Sequence, residues 1–164
     1  MKKNHRFTPR WQPLLLLLGL LILVGLAACS AGSEDADTAG STESDSIQNI
    51  EWQWTSVTTQ STGDTTEVPN PEVYTLNLYP DGTLAGKADC NNFSGTYSQE
   101  NGFSITLGAT TMAFCGEASL DQVYLGLLGS VAAGGPDGRG NLALESAGGA
   151  ERMMFKNGGP SPEP

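Results

Sequence analysis

The chain has 164 residues, a formal net charge of −10 at pH 7 and a single histidine, His5. Lys2, Lys3, Arg6 and Arg10 stand at the very start, so the rest of the chain sets only Lys87, Arg139, Arg152 and Lys156 against all 18 acidic residues, a balance of −14. Such a chain has no clustered Lys and Arg for nucleic acid or anionic lipid. Beyond the first ten residues it also lacks an imidazole for a Ser-His-Asp or Cys-His nucleophile pair or a His-bearing zinc site.

The first element is an address. The basic residues are followed by an apolar run from Leu14 to Val24, about half the length of a membrane span. This is the layout of a secretory signal peptide, predicted over residues 1–28. Leu26-Ala27-Ala28-Cys29 resembles the lipobox of bacterial lipoproteins. The resemblance implies that Cys29 is acylated, becomes the mature N-terminus, and anchors the protein on the cell membrane or outer membrane. Ordinary cleavage near Ala28, or an uncleaved N-terminal anchor, are the alternatives. Residues 29–47 are rich in Ser, Thr, Gly and acids and nearly devoid of large apolar side chains. A segment of that composition cannot bury enough surface to offset its ordering entropy, so it is predicted to be a disordered tether.

The folded domain is expected over residues 48–157. Glu51 to Val57 alternates polar and apolar, as a half-buried strand does. Trp52 and Trp54 share one face of it, so at least one belongs in the core. The polar stretch from Thr58 to Pro71 reads as a loop. Val73 to Tyr79 is a strand by its β-branched and aromatic content, closed by the turn Pro80-Asp81-Gly82, and Thr83 to Ala88 returns. Gly95 to Ser98 and Phe103 to Leu107 flank Glu100-Asn101-Gly102, a hairpin signal. Leu120, Val123, Tyr124, Leu127, Leu128 and Val131 then form one stripe of a helix over residues 119–131, with Ser119 as N-cap and Asp121 in the first turn. Gly134-Gly135-Pro136 is expected to stop it. Two closing strands, Asn141 to Glu145 and Arg152 to Lys156, flank Gly148-Gly149. Residues 158–164 are predicted to be a disordered tail.

Within this pattern, Asp89-Cys90-Asn91, Gly95-Thr96-Tyr97 and Thr110-Thr111-Met112-Ala113-Phe114-Cys115 occur in an order and spacing that resemble the META/HslJ family. The resemblance covers about Trp52 to Phe155. The residues it carries are Asp89, Cys90, Asn91, Gly95, Tyr97, Thr111, Met112 and Cys115. It implies an α+β, mainly β fold: a strongly curved antiparallel sheet, a half-barrel, packed on the single helix. It implies no known enzyme activity and no cofactor, and an envelope setting tied to stress. The departure is Asp89, where the family usually has glycine. If that position needs a positive φ, Asp tolerates it better than most residues; if it needs a close backbone contact, the local geometry departs from that of the family.

With Cys29 acylated, Cys90 and Cys115 are an even pair outside the cytosol, which favours a disulfide. Closing so long a loop stabilises by about 3–4 kcal/mol. A redox switch is the alternative, although no Lys or His cluster stands nearby to lower a thiol pKa. Asp137 to Asn141 lacks the acids of a calcium loop and reads as a turn, and no metal ligand set is expected. A hydrolase would need paired carboxylates across a cleft, such as Asp89 and Glu117 brought together near the cysteines. Asn91 and Asn92 fit turn chemistry better than a ligand site. The sequence therefore points to a non-catalytic, lipid-anchored envelope module, binding or stress-related, with an unidentified protein or small-molecule partner and no nucleic acid. A helper for the assembly of another envelope complex is one alternative, and a carboxylate-based hydrolase another.

Overall fold

The structure, a computed structural model, describes residues 46–163. The predicted signal peptide, Cys29 with its expected acylation, and nearly all of the predicted tether lie outside the described residues. Among the described residues nine strands and one α-helix follow in order: β1 (Ile50–Thr59), β2 (Asp64–Glu67), β3 (Tyr74–Leu78), β4 (Thr83–Ala88), β5 (Asn91–Ser98), β6 (Ser104–Thr110), α1 (Asp121–Gly129), β7 (Val131–Pro136), β8 (Leu142–Ser146) and β9 (Glu151–Pro160). All pairings are antiparallel, and the strands form one sheet in the order β6-β5-β4-β3-β1-β9-β8-β7, with β2 added on β1. The sheet curls into the expected half-barrel around the helix. Its two ends nearly meet at the β5–β6 turn. There Gly102 has φ +116° and lies so close to β7 that a Cβ would stand 3.3 Å from the Ala132 carbonyl oxygen.

The core follows from the alternation in β1. Trp52 and Trp54 both point inward and are 2% and 1% exposed. Each indole N–H finds a backbone acceptor, Ile47 O at 2.8 Å and Ser56 O at 2.9 Å, as a buried indole requires. From the helix, Tyr124 and Leu128 are fully buried. Tyr124 stacks on Trp54 at 5.0 Å between ring centroids and meets Tyr74 and Phe93 edge-on at 5.7 and 6.0 Å. Aromatic packing of this kind adds about 0.5–1.5 kcal/mol per pair beyond area burial. One helix thus fills the concave face with two side chains.

Several expectations need correction. The helix is shorter than residues 119–131, and Val131 opens β7 instead. Val123 is 52% exposed, because a narrow concave sheet accepts only the centre of the apolar stripe. Ser119 does not cap the helix through its side chain; Leu120 holds that position, and Ser119 Oγ accepts the Asp121 amide at 3.2 Å. Ser130 ends the helix, its amide and hydroxyl both donating to Leu127 O. Gly134-Gly135-Pro136 therefore stops nothing and lies in an edge strand, where proline is tolerated.

The stretch from Thr58 is not all loop. β1 continues to Thr59 and β2 returns along it from Asp64, in register Ser56↔Glu67 to Thr59↔Asp64. The tether ends earlier than residue 47, because Ile47 is buried in the core at 3% exposure. The tail does not begin at residue 158 either. Gly158 to Pro160 complete β9, the Ser161 amide donates to Asn49 O at 3.1 Å, and the Tyr79 hydroxyl donates to Pro162 O at 3.2 Å. Glycine and proline tolerate that course because the start of β1 offers the backbone partners that composition does not reveal.

The Tyr124 hydroxyl has no hydrogen-bond partner among the described residues, and burial pushes its pKa well above the usual tyrosine value. An orphaned buried hydroxyl costs about 1–3 kcal/mol of desolvation. Tyr124→Phe, which keeps the ring and removes the orphan, is therefore expected to raise the unfolding free energy in urea by about 1 kcal/mol. A loss of stability in that variant would show that the hydroxyl has a partner.

Candidate functional site

The β4–β5 hairpin turns on two residues, with Ala88 opposite Asn91. Asp89, the first of them, has φ +59°, a left-handed conformation in which Asp is among the better-tolerated non-glycine residues. That accounts for aspartate at a position where glycine was the expectation. Its amide donates to Val73 O at 2.8 Å, and its carboxylate accepts a long 3.5 Å bond from the Tyr74 hydroxyl. The same hydroxyl accepts the Leu120 amide at 2.9 Å, which ties the approach to the helix to this corner.

Cys90, the second turn residue, is bonded to Cys115, with the Cα atoms 5.6 Å apart. Cys90 is exposed and Cys115 half-buried. Next to them the Asn91 side chain is 1% exposed and fully engaged. Its Oδ1 accepts the Ala113 amide at 2.7 Å and the Thr111 hydroxyl at 3.1 Å. Its Nδ2 donates to Ala113 O at 3.0 Å and to Asp121 Oδ2 at 3.1 Å, and stands 3.3 Å from Cys115 Sγ. Thr111 adds its own bridge, its hydroxyl oxygen accepting the Asn92 amide at 2.9 Å and its amide donating to Asn92 O at 3.0 Å.

The segment between β6 and the helix is thus fixed although it belongs to no regular element. It holds Met112 and Phe114 outward, 79% and 84% exposed. On one flank lies a pocket of about 260 Å³, lined among others by Glu72, Tyr74, Asp89, Cys115, Ser119 and Leu120. On the other, Phe93, Asn92 and Thr111 line an open apolar hollow of about 320 Å³.

Asp121 closes the base of the arrangement and is 8% exposed. Burial pushes its pKa up, but hydrogen bonds from the Gln122 side chain and amide, from Asn91 and from Ser119 outweigh that. The carboxyl sits below the ordinary aspartate value and stays ionised at neutral pH.

The structure gathers Asp89, Cys90, Asn91, Thr111, Met112 and Cys115 at one end of the sheet. Two other motif residues lie elsewhere. Gly95 permits close approach of β5 to β6, where a Cβ would meet Thr106 O at 2.2 Å. Tyr97 sits further along β5, its hydroxyl donating to Tyr79 O at 2.8 Å and accepting from Gln48 Nε2 at 2.8 Å. Asp121 and Phe114 were not singled out as site residues from the sequence. Asp121 shares a helical face with Tyr124 and Leu128, which is the signal that it is buried. Asp137 makes a turn, not a calcium loop: its Oδ1 accepts the amides of Arg139 and Asn141 at 2.8 and 3.0 Å. Among the described residues no group of three or more His, Cys, Asp or Glu is placed to hold a metal ion.

Residues 45–158 match the META domain family. The chain belongs to that family. Two solved structures share the META fold seen here. One is an NMR structure of a protein from Burkholderia xenovorans, 23% identical, covering 68% of this chain and 83% of that one with a TM-score of 0.54. The other is a crystal structure of a DUF4847-family protein from Bacteroides vulgatus, 11% identical, covering 66% of this chain and 92% of that one with a TM-score of 0.50. At these identities the likeness is one of fold. No curated protein sequence matches the chain.

In this META domain the motif polar groups are engaged in fixing the loop, and two outcomes follow. Asn91→Ala leaves the Ala113 amide and carbonyl and the Asp121 carboxylate without their shared partner. It is expected to cost about 2–4 kcal/mol in urea unfolding, while thiol titration still finds Cys90 and Cys115 oxidised. A cost under about 0.5 kcal/mol would mean that the amide pins nothing.

Asp121 sets a pH dependence. Its folded pKa is depressed below its unfolded value, so the stability it contributes is fully present above about pH 4 and is lost as pH falls through the folded value. Asp81 and Asp137, lowered chiefly by hydrogen bonds from Thr83 and Asn141 respectively, act in the same direction. Stability measured from about pH 5 down to 2 is expected to fall, and Asp121→Asn to flatten part of that fall. An unchanged slope in the variant would remove Asp121 from the account.

Proposed function

We propose that this META domain is a lipid-anchored, non-catalytic module of the cell envelope that acts by binding, with a stress-related accessory role. The observation that carries the reading is the loop at residues 111–115. Two large apolar side chains stand 79% and 84% exposed on it, while its backbone is tied to β5 by the Asn91 amide and the Cys90–Cys115 bond. Solvent disfavours such a display, and a free loop would relieve it by turning the side chains inward. A fixed loop cannot, and a surface already held in one conformation loses little entropy when a partner covers it.

Non-catalytic action is supported by chemistry. The Asn91 and Thr111 polar atoms are committed to the loop, and the chain after Cys29 has no histidine to serve as a base. The envelope setting is supported by the basic start, the apolar run Leu14 to Val24 and the lipobox-like Leu26-Ala27-Ala28-Cys29. Assembly of another envelope complex is a narrower form of the same reading and uses the same loop.

Mass spectrometry of the exported chain is expected to find an amino terminus at Cys29 bearing acyl chains, and Cys29→Ser to release the protein from the membrane fraction. An unmodified terminus that stays membrane-bound would replace the lipid with a retained apolar anchor; an unmodified terminus in the soluble fraction would end the anchoring proposal.

A further inference from the structure

We propose that the partner of the Met112–Phe114 loop is a protein segment carrying a basic side chain beside large apolar ones. This rests on the reading of the loop as a binding surface, and the test below separates the two. The apolar part of the partner is called for by the exposed Met112 and Phe114. The basic part is called for by what stands beside them. The pocket of about 260 Å³ that begins at Cys115 is lined by the carboxylates of Glu72 and Asp89 and by no lysine or arginine. Glu117, also exposed, lies two residues past Cys115. The Tyr74 hydroxyl, Ser119 and the apolar side of Leu120 complete a lining that suits an ammonium or guanidinium on an aliphatic stem.

The charge pattern selects among possible occupants. An anionic bilayer would accept Met112 and Phe114 but would face Glu72, Asp89 and Glu117, which repel it. A second copy docked by a two-fold axis would set the same acids against each other, since such a contact pairs identical patches. A basic and apolar segment meets both parts of the surface at once. The balance of −14 beyond the first ten residues strengthens the preference, because a negative net charge steers a cationic partner.

The test uses the full exported chain, isotope-labelled, with phosphatidylcholine nanodiscs present. It is titrated with the peptide acetyl-Leu-Lys-Leu-Lys-Leu-amide and with counterparts carrying Gln or Glu in place of Lys, and the backbone amide shifts are followed by NMR. The Lys peptide is expected to shift the amides of residues 111–115 and 89. It should bind at least about tenfold more tightly than the Gln peptide, more weakly at high salt, with no binding of the Glu peptide. The double variant Met112→Ser, Phe114→Ser is expected to weaken it at least about tenfold with the Cys90–Cys115 bond intact.

Equal binding of the Lys and Gln peptides at the loop would overturn the basic partner and leave the binding surface standing. Shifts confined to other regions would overturn both. Broadening of the loop amides by a spin-labelled lipid in the nanodiscs, with no peptide response, would assign the loop to the membrane instead. A dimer through the loop by analytical ultracentrifugation would assign it to a second copy.

Discussion

One buried amide holds the cysteine-bearing end of this META domain together. Asn91 begins β5, yet its side chain behaves as an extra length of backbone. Its Oδ1 takes the Ala113 N–H while its Nδ2 gives to the Ala113 carbonyl, the two bonds that a neighbouring strand would supply. A buried polar side chain is tolerated only when its capacity is met, and here donors and acceptors are both used. Few side chains could stand in. Aspartate would present two acceptors where a donor is needed, leucine would leave the Ala113 amide and carbonyl unpaired, and glutamine is one methylene too long for the space. The same amide reaches Asp121 at 3.1 Å, so the loop and the first turn of the helix are registered by one group.

The disulfide beside it does a different job. Its stabilisation, about 3–4 kcal/mol on the chain-entropy account, acts largely by restricting the unfolded chain. The Asn91 bonds act in the folded state, fixing where Ala113 lies. The two devices are therefore not substitutes. A reduced protein would still have the loop seated by Asn91, and a protein lacking the amide would be tethered at Cys115 but free to move before it. The Tyr74 hydroxyl supplies the third tie, through Leu120 and Asp89. All three converge on a stretch that belongs to no strand, where the Thr111 amide alone carries the β5 pairing one residue past β6, which is how an irregular segment can be as fixed as a strand.

Much of the fold was legible because the signals are local. The alternation around Trp52 and Trp54, the turns at Asp81-Gly82 and Asn101-Gly102, and the inward spacing of Tyr124 and Leu128 each state their geometry within a few residues. What escaped depends on partners distant in the chain. β2 is exposed at all four positions, so no period of two marks it, and only the free edge of β1 makes it a strand. β7 reads as a helix stop because Gly134-Gly135-Pro136 has nothing to bury, yet β8 gives it a ladder. The end of β9 looks like a tail until the start of β1 is set beside it. The cysteine pair was legible from its even number once an export signal was expected. The positive φ at Asp89 was foreseen as one of two possibilities, and the role of Asp121 was not, since its place on the buried helical face does not say which donors will meet it.

The outward display of Met112 and Phe114 is a matter of parity. Thr111, Ala113 and Cys115 are alternate residues, and each is tied to the β4–β5 corner: Thr111 to Asn91 and Asn92, Ala113 to Asn91, Cys115 to Cys90. In a stretch where alternate residues face the body, those between face away. Moving Met112 or Phe114 inward by a one-residue slip would turn Cys115 away from Cys90 and bring the Thr111 hydroxyl out of reach of Asn91. The apolar exposure is thus a consequence of the same contacts that make the corner rigid. Selection could have placed Ser or Lys at residues 112 and 114 without disturbing a single one of those bonds. The bonds that seat the loop therefore fix where the side chains at 112 and 114 stand, and leave their chemical character free.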